Sequence, residues 1–152
     1  MFDVILVGTD GSESAAVAVR QATELAKLTG GTLHIVSAYK GVSVGSVAMA
    51  ASAGASTIDV DHVNRTAAAE AELVCEHAAS EARRDGVKVE LHGVPGDAAD
   101  VLISVATEIA ADLIVIGNRG MSGARRFVLG SVPNKVSHHC PCSLLIVDTS
   151  TS

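Results

Sequence analysis

Val4-Ile5-Leu6-Val7-Gly8-Thr9-Asp10-Gly11 is an apolar, largely branched run that stops in a turn. Four consecutive apolar residues leave no polar face, so the run fits a strand buried on both sides, as in a parallel sheet covered by helices. The same unit recurs at Thr32 to Ala38, Val87 to Leu91, Leu113 to Ile116 and Leu144 to Val147. Between these runs the apolar period changes to three and four. Ala15, Ala18, Ala22, Leu25 and Ala26 share one face of a helix predicted from Ser12 to Lys27, with Ser12 placed to cap it and Gly30-Gly31 to end it. Further helices are predicted over Asp59 to Arg84, over Gly96 to Ala110 with Leu102, Val105, Ala106 and Ile109 inward, and over Ser131 to His138. Residues 41–57, rich in Ser, Ala and Gly, follow neither period and read as a mobile loop. Alternating strands and helices with right-handed crossovers predict an open α/β fold: one parallel sheet with helices on both faces.

The chain has 152 residues, with no internal repeat and no long linker, so residues 1–152 are expected to form one domain. Hydrophobic residues make up 48% and charged residues 18%, which excludes intrinsic disorder. Aromatics are only 2%, so the core must be aliphatic and base-stacking platforms are excluded. A net charge of −6 has the wrong sign for a phosphate-backbone binder, and no nucleic-acid partner is expected. Asp3 interrupts the region a signal peptide would need apolar, and no stretch approaches the roughly 18–20 apolar residues of a membrane helix. The three cysteines cannot all pair within one chain. A cytoplasmic protein with reduced thiols and no membrane partner is the expectation.

In an open α/β sheet, ligands bind beyond the carboxyl ends of the strands, where the strand order reverses. Two segments at such ends carry unusual chemistry. One is Gly8-Thr9-Asp10-Gly11-Ser12; the other runs from Gly117-Asn118-Arg119-Gly120 to Gly130-Ser131. Glycines let backbone amides approach an anion, and a helix starting near Ser131 would aim free N–H groups at it. Arg119, Arg125 and Arg126 add positive charge to an otherwise acidic chain. Taken alone, the glycines also fit simple turns, and Asp10 also fits a turn or helix-cap role.

Gly117, two residues, Gly120, nine residues, Gly130 and Ser131 resemble the G-2x-G-9x-G-(S/T) signature of the ATP-binding universal stress proteins. The resemblance spans nearly the whole chain, from VGTDGS through Ala99 to Ala106 and DLIVIGNRG to GSVPNKVSHHCPCSLLIV. It implies a Rossmann-like, five-stranded parallel sheet of order 3-2-1-4-5, most often dimeric. It also implies an adenine-nucleotide site formed by Thr9, Asp10, Gly11, Ala38, Gly117, Gly120, Gly130, Ser131 and Val132, to which Arg119 is added for its charge. Asp10 would then meet the ribose or a nucleotide-bound Mg²⁺ or Mn²⁺. Pro133 departs from the pattern, standing where a hydroxyl residue is frequent. A homodimer through the edge strand Ser143 to Val147 is the expected assembly.

A Walker-type G-x-x-x-x-G-K-[ST] is missing, and no G-x-G-x-x-G follows the first strand. His138-His139-Cys140-Pro141-Cys142 looks like a metal cluster, but its spacing suits a packed loop better. His34 reads as a surface or satisfied core histidine, and His62 and His77 as exposed. The functional expectation is a regulatory or sensing protein in a stress response that binds ATP with Mg²⁺ or Mn²⁺, its downstream partner undefined. The alternatives are an AMP or cyclic AMP binding module, or a slow ATPase or nucleotidyl- or phosphoryl-transferring enzyme using Asp10 and Arg119.

Overall fold

The computed structural model describes residues 1–54, 59–118 and 129–150. The elements run β1 (Val4–Gly8), α1 (Glu13–Thr29), β2 (Thr32–Tyr39), α2 (Val44–Ser52), α3 (Val60–Arg84), β3 (Val89–Pro95), α4 (Ala98–Glu108), β4 (Leu113–Gly117), α5 (Ser131–His139) and β5 (Ser143–Val147). The five strands are parallel and ordered β3-β2-β1-β4-β5, the expected Rossmann-like arrangement. Among the described residues, no helix is long and apolar enough to cross a membrane.

Each central strand is apolar on both faces because each face meets helices. Ile5, Val7, Leu33, Ile35, Leu113 and Val115 point to one side, against Ala18, Ala22 and Ala26 of α1 and Cys75, Ala79 and Ala82 of α3. Leu6, Val36, Ile114 and Ile116 point to the other, against Leu102, Val105 and Ala106 of α4 and Val136 of α5. Full burial of each such aliphatic side chain contributes about 1.5–3 kcal/mol. The alanine stripes let the helices lie close to the sheet. Of the inward positions expected on α1 and α4, Ala15, Leu25 and Ile109 are only half-buried.

Besides shifts of one or two residues at helix and strand ends, two segments differ from expectation. Residues 41–57, read as a loop, contain α2, which Ser43 caps by accepting the Ser46 N–H at 3.2 Å. None of its residues is buried, so no apolar period marks it; residues 55–57 lie outside the described part. The third strand begins at Val89 rather than Val87 and continues to Pro95 rather than stopping at Leu91. Val87 is held back because its N–H bonds the Ala82 carbonyl at 3.0 Å, while Gly86 (φ 81°) bonds Arg83, which together close α3 in a Schellman turn. Gly93 and Pro95 look like breakers in the sequence, yet an edge strand tolerates both.

Candidate functional site at the carboxyl ends of β1 and β4

β1 leads through α1 to β2 on one side, whereas β4, its other neighbour, leads to β5. The strand order therefore reverses between β1 and β4, and a crevice opens beyond their carboxyl ends. The register pairs Val7 with Val115 and Gly8 with Val36. The Thr9 N–H continues the ladder by bonding the Val36 carbonyl at 2.9 Å. Extending that register brings Thr9 level with Gly117 and Asp10 level with Ala38. With strands about 4.8 Å apart, these ends lie within about 10 Å of one another.

The β1 end is a tightly bonded turn. Thr9 Oγ1 accepts the Gly11 N–H at 3.1 Å, and Asp10 Oδ1 accepts the Ser12 N–H at 2.9 Å. Gly11 has φ 81°, a conformation that strains any residue with a Cβ. Ser12 Oγ accepts the Ala15 N–H at 3.2 Å and caps α1. Asp10 is thus a turn residue, as one reading of the sequence has it. It is also exposed, and its Oδ2 has no partner among the described residues.

The β4 end is organised by Asn118. Its N–H bonds the Val147 carbonyl at 2.9 Å, and its own carbonyl accepts the Gly130 N–H at 3.0 Å. This second bond sets the start of α5 beside the end of β4. Gly130 is the N-cap, in extended conformation (φ −60°, ψ 165°), with no side chain to cap the helix. Pro133 has no N–H to offer. That leaves the Ser131 and Val132 amides, which have no acceptor among the described residues. Of the two helix starts flanking the crevice, α1 is capped by its own Ser12, whereas α5 has no side-chain cap among the described residues and suits an anion. Buried Val136 and Pro133 anchor α5. Lys135 bridges to Asp100 at 2.9 Å and Asp97 at 3.6 Å on α4, an exposed contact worth little alone.

Thr9, Asp10, Gly11, Ala38, Gly117, Gly130, Ser131 and Val132 therefore gather at one end of the sheet. Arg119 and Gly120, with Arg125 and Arg126, lie outside the described residues. Asn118 is the site-building residue that sequence reasoning passed over. Its signal was its place inside the quoted Gly117–Gly120 segment, but its partners Thr149 and Asp148 are some thirty residues away.

Residues 1–148 match the family described as universal stress protein. The chain belongs to the universal stress protein family. Among its relatives is the universal stress protein YxiE of Bacillus subtilis, 32% identical over 147 residues that cover 97% of this chain and 99% of YxiE. The universal stress protein Rv1636 of Mycobacterium tuberculosis is 34% identical over 151 residues, covering 98% of each. A crystal structure of a universal stress protein in complex with cAMP is 30% identical, covers 98% of both chains and superposes with a TM-score of 0.69. The hypothetical protein MJ0577, at 21% identity and a TM-score of 0.80 over 100% of this chain, shares the fold.

Other chemistry-bearing residues of this family member lie outside the β1 and β4 ends. Cys140 Sγ donates to the Cys142 carbonyl at 3.0 Å. Burial, together with the neighbouring Cys140 thiol, pushes the Cys142 thiol up to about 11. In the His138–Cys142 run the two histidines and Pro141 are exposed, and Cys140 and Cys142 are half-buried. Gly41-Val42-Ser43-Val44-Gly45 has the spacing of a hydrolase nucleophile elbow. Ser43 Oγ instead serves the start of α2, bonding the Ser46 N–H and, at 2.7 Å, the Ser46 hydroxyl, with no histidine bonded to it among the described residues. His62 and His77 are exposed, and His34 is a buried histidine whose Nδ1 lies 2.9 Å from His92 Nε2.

Proposed function

We propose that this chain binds an adenine nucleotide, ATP with Mg²⁺ or Mn²⁺, in the β1–β4 crevice, and that the nucleotide state regulates its interactions in a stress response. The observation that carries the adenine reading is the 30%-identical universal stress protein in complex with cAMP, which covers 98% of both chains. Features of the crevice fit such a ligand. The Ser131 and Val132 amides offer donors to a phosphate, and glycines 117 and 130, lacking a Cβ, let the backbone approach it. Arg119 and Gly120 belong to the same proposed phosphate segment. Asp10 Oδ2 would meet the ribose or the nucleotide-bound cation, Thr9 and Gly11 flank it, and Ala38 would lie against the base. The cation would neutralise phosphate charge beside Asp10.

Binding rather than turnover is the favoured activity, because no dedicated base–nucleophile pair accompanies Asp10 among the described residues. Cyclic AMP is the second reading, favoured by the same complex. Titration calorimetry with ATP, AMP and cyclic AMP, with Mg²⁺ and then with EDTA, separates them. Tight ATP binding that EDTA weakens supports the first reading. Tight cyclic AMP binding indifferent to EDTA supports the second, and no binding of any of the three overturns both. A single-turnover assay with ATP tests for the slow-enzyme alternative.

A further inference from the structure

The register of β2 on β3 pairs His34 with Glu90 and Val36 with His92. Side chains alternate along a strand, so His34, Glu90 and His92 share one face of the sheet. His34 Nδ1 lies 2.9 Å from His92 Nε2 and 4.0 Å from Glu90 Oε2, and one ligand atom from each residue falls within 4.8 Å of the others. His34 is buried, His92 half-buried and Glu90 exposed, so the cluster has a fixed inner wall and an open outer one. His34 stands four residues before Ala38, about 13 Å along the strand from the crevice.

We propose that His34, His92 and Glu90 form a site for one divalent transition-metal ion of the zinc class. Two imidazoles and one carboxylate suit zinc and its neighbours, whereas calcium and magnesium prefer oxygen ligands throughout. Around a tetrahedral zinc with bonds of about 2.0–2.1 Å, adjacent ligand atoms stand about 3.3 Å apart. The two ring nitrogens must separate by about 0.4 Å and the Glu90 oxygen must approach by about 0.7 Å. The rings are stacked 19° from parallel, and each can turn about its soft Cβ–Cγ torsion to aim a lone pair at the ion. The proton now shared between Nδ1 of His34 and Nε2 of His92 moves to an outward ring nitrogen. Two neutral imidazoles then bind the ion without releasing a proton, and solvent fills the fourth position. Lys88, whose Nζ lies 4.0 Å from Glu90 Oε1, competes with the ion for that carboxylate.

The test is Zn²⁺ titration of the full chain against a chromophoric chelator, with Co²⁺ absorption reporting geometry. The background carries His138→Asn, His139→Asn, Cys140→Ser and Cys142→Ser, which removes the other histidine–thiol run as a competitor. One Zn²⁺ per chain is expected, with His92→Gln weakening it by roughly 100-fold and Glu90→Gln by roughly tenfold. Lys88→Gln should tighten it. His92→Gln keeps a hydrogen-bonding partner for His34, and its thermal melt confirms folding. Absence of one-to-one binding in the background protein, or equal affinity in folded His92→Gln, overturns the proposal and leaves the pair as a cross-strand hydrogen bond.

Discussion

Asn118 Oδ1 receives two hydrogen bonds from Thr149, one from its amide at 3.1 Å and one from its hydroxyl at 2.9 Å. Thr149 is buried, and the residue it grips also bonds β5 and the start of α5. Asn118→Ala removes both of these bonds, at a cost of about 0.5–1.5 kcal/mol each. The Gly130 bond, made to the main chain, survives. Urea unfolding should therefore show a lower midpoint with an unchanged slope, and ATP affinity should fall less than stability does.

Gly130 has φ −60°, so a side chain there meets no backbone strain. Gly130→Asp should leave the fold intact, since aspartate is a good N-cap. It also places a carboxylate where the phosphates are proposed to sit. Two unit charges about 4 Å apart repel by roughly 4 kcal/mol at an effective dielectric of 20, and half of that is more than tenfold in affinity. The expected outcome is an unchanged or slightly raised Tm with ATP binding weakened more than tenfold. Unchanged affinity would move the phosphate site elsewhere.

Asp10 is both a turn acceptor and a proposed cation partner, and two substitutions separate those roles. Asp10→Asn keeps an oxygen for the Ser12 N–H and loses the charge; Asp10→Ala loses both. Both should weaken Mg²⁺-ATP more than AMP. Only Asp10→Ala should lower the Tm, by the loss of about 0.5–1.5 kcal/mol. Equal losses for ATP and AMP would assign Asp10 to the ribose.

β5 is an edge strand with a partly exposed Leu145, and unpaired edges invite a second copy. The proposed homodimer places β5 at its centre. Sedimentation at micromolar concentration should give a dimer for the natural sequence and a larger monomer fraction for Leu145→Lys. A monomeric natural protein would end this assignment.

Burial pushes the His34 imidazole below its ordinary pKa of 6.5; His92 and Lys88 act in the same direction, and Glu90 opposes them. A folded-state pKa below the unfolded one means the unfolded chain takes up the proton first. The stabilisation is complete above about pH 6.5 and is lost as the pH falls through the folded-state value. Denaturation midpoints should decline below that pH, and His34→Gln should flatten the decline.

The sheet was legible because its strands are buried on both faces, which writes them into the sequence as unbroken apolar runs. α1 and α4 were legible from their apolar stripes. What escaped lacks such a record. α2 buries nothing, so it has no stripe. β3 extends through Gly93 and Pro95 because an edge strand tolerates residues that end a central one. The β1 and β4 ends were located from their glycines, but Asn118's role depends on Thr149, a contact no local pattern encodes. The His34–His92 contact likewise requires the β2–β3 register, which composition does not specify.

The crevice lies between two halves of the chain made at different times. β1, β2 and β3 are finished by Pro95, whereas β4, α5 and β5 extend to Val147. At a synthesis rate of about 5–20 residues per second, the later half follows by about 3–10 s. The Asp112 carboxylate, just before β4, accepts the N–H groups of Asp3 and Val4, both at 2.9 Å, and joins the first strand of the later half to the oldest strand. A ribosome-bound chain therefore exposes the β4 edge of β1 before it possesses any phosphate cradle. A nucleotide bound as proposed acts only on finished chains, so its supply would bear on the survival of the completed fold and leave the first half unaided.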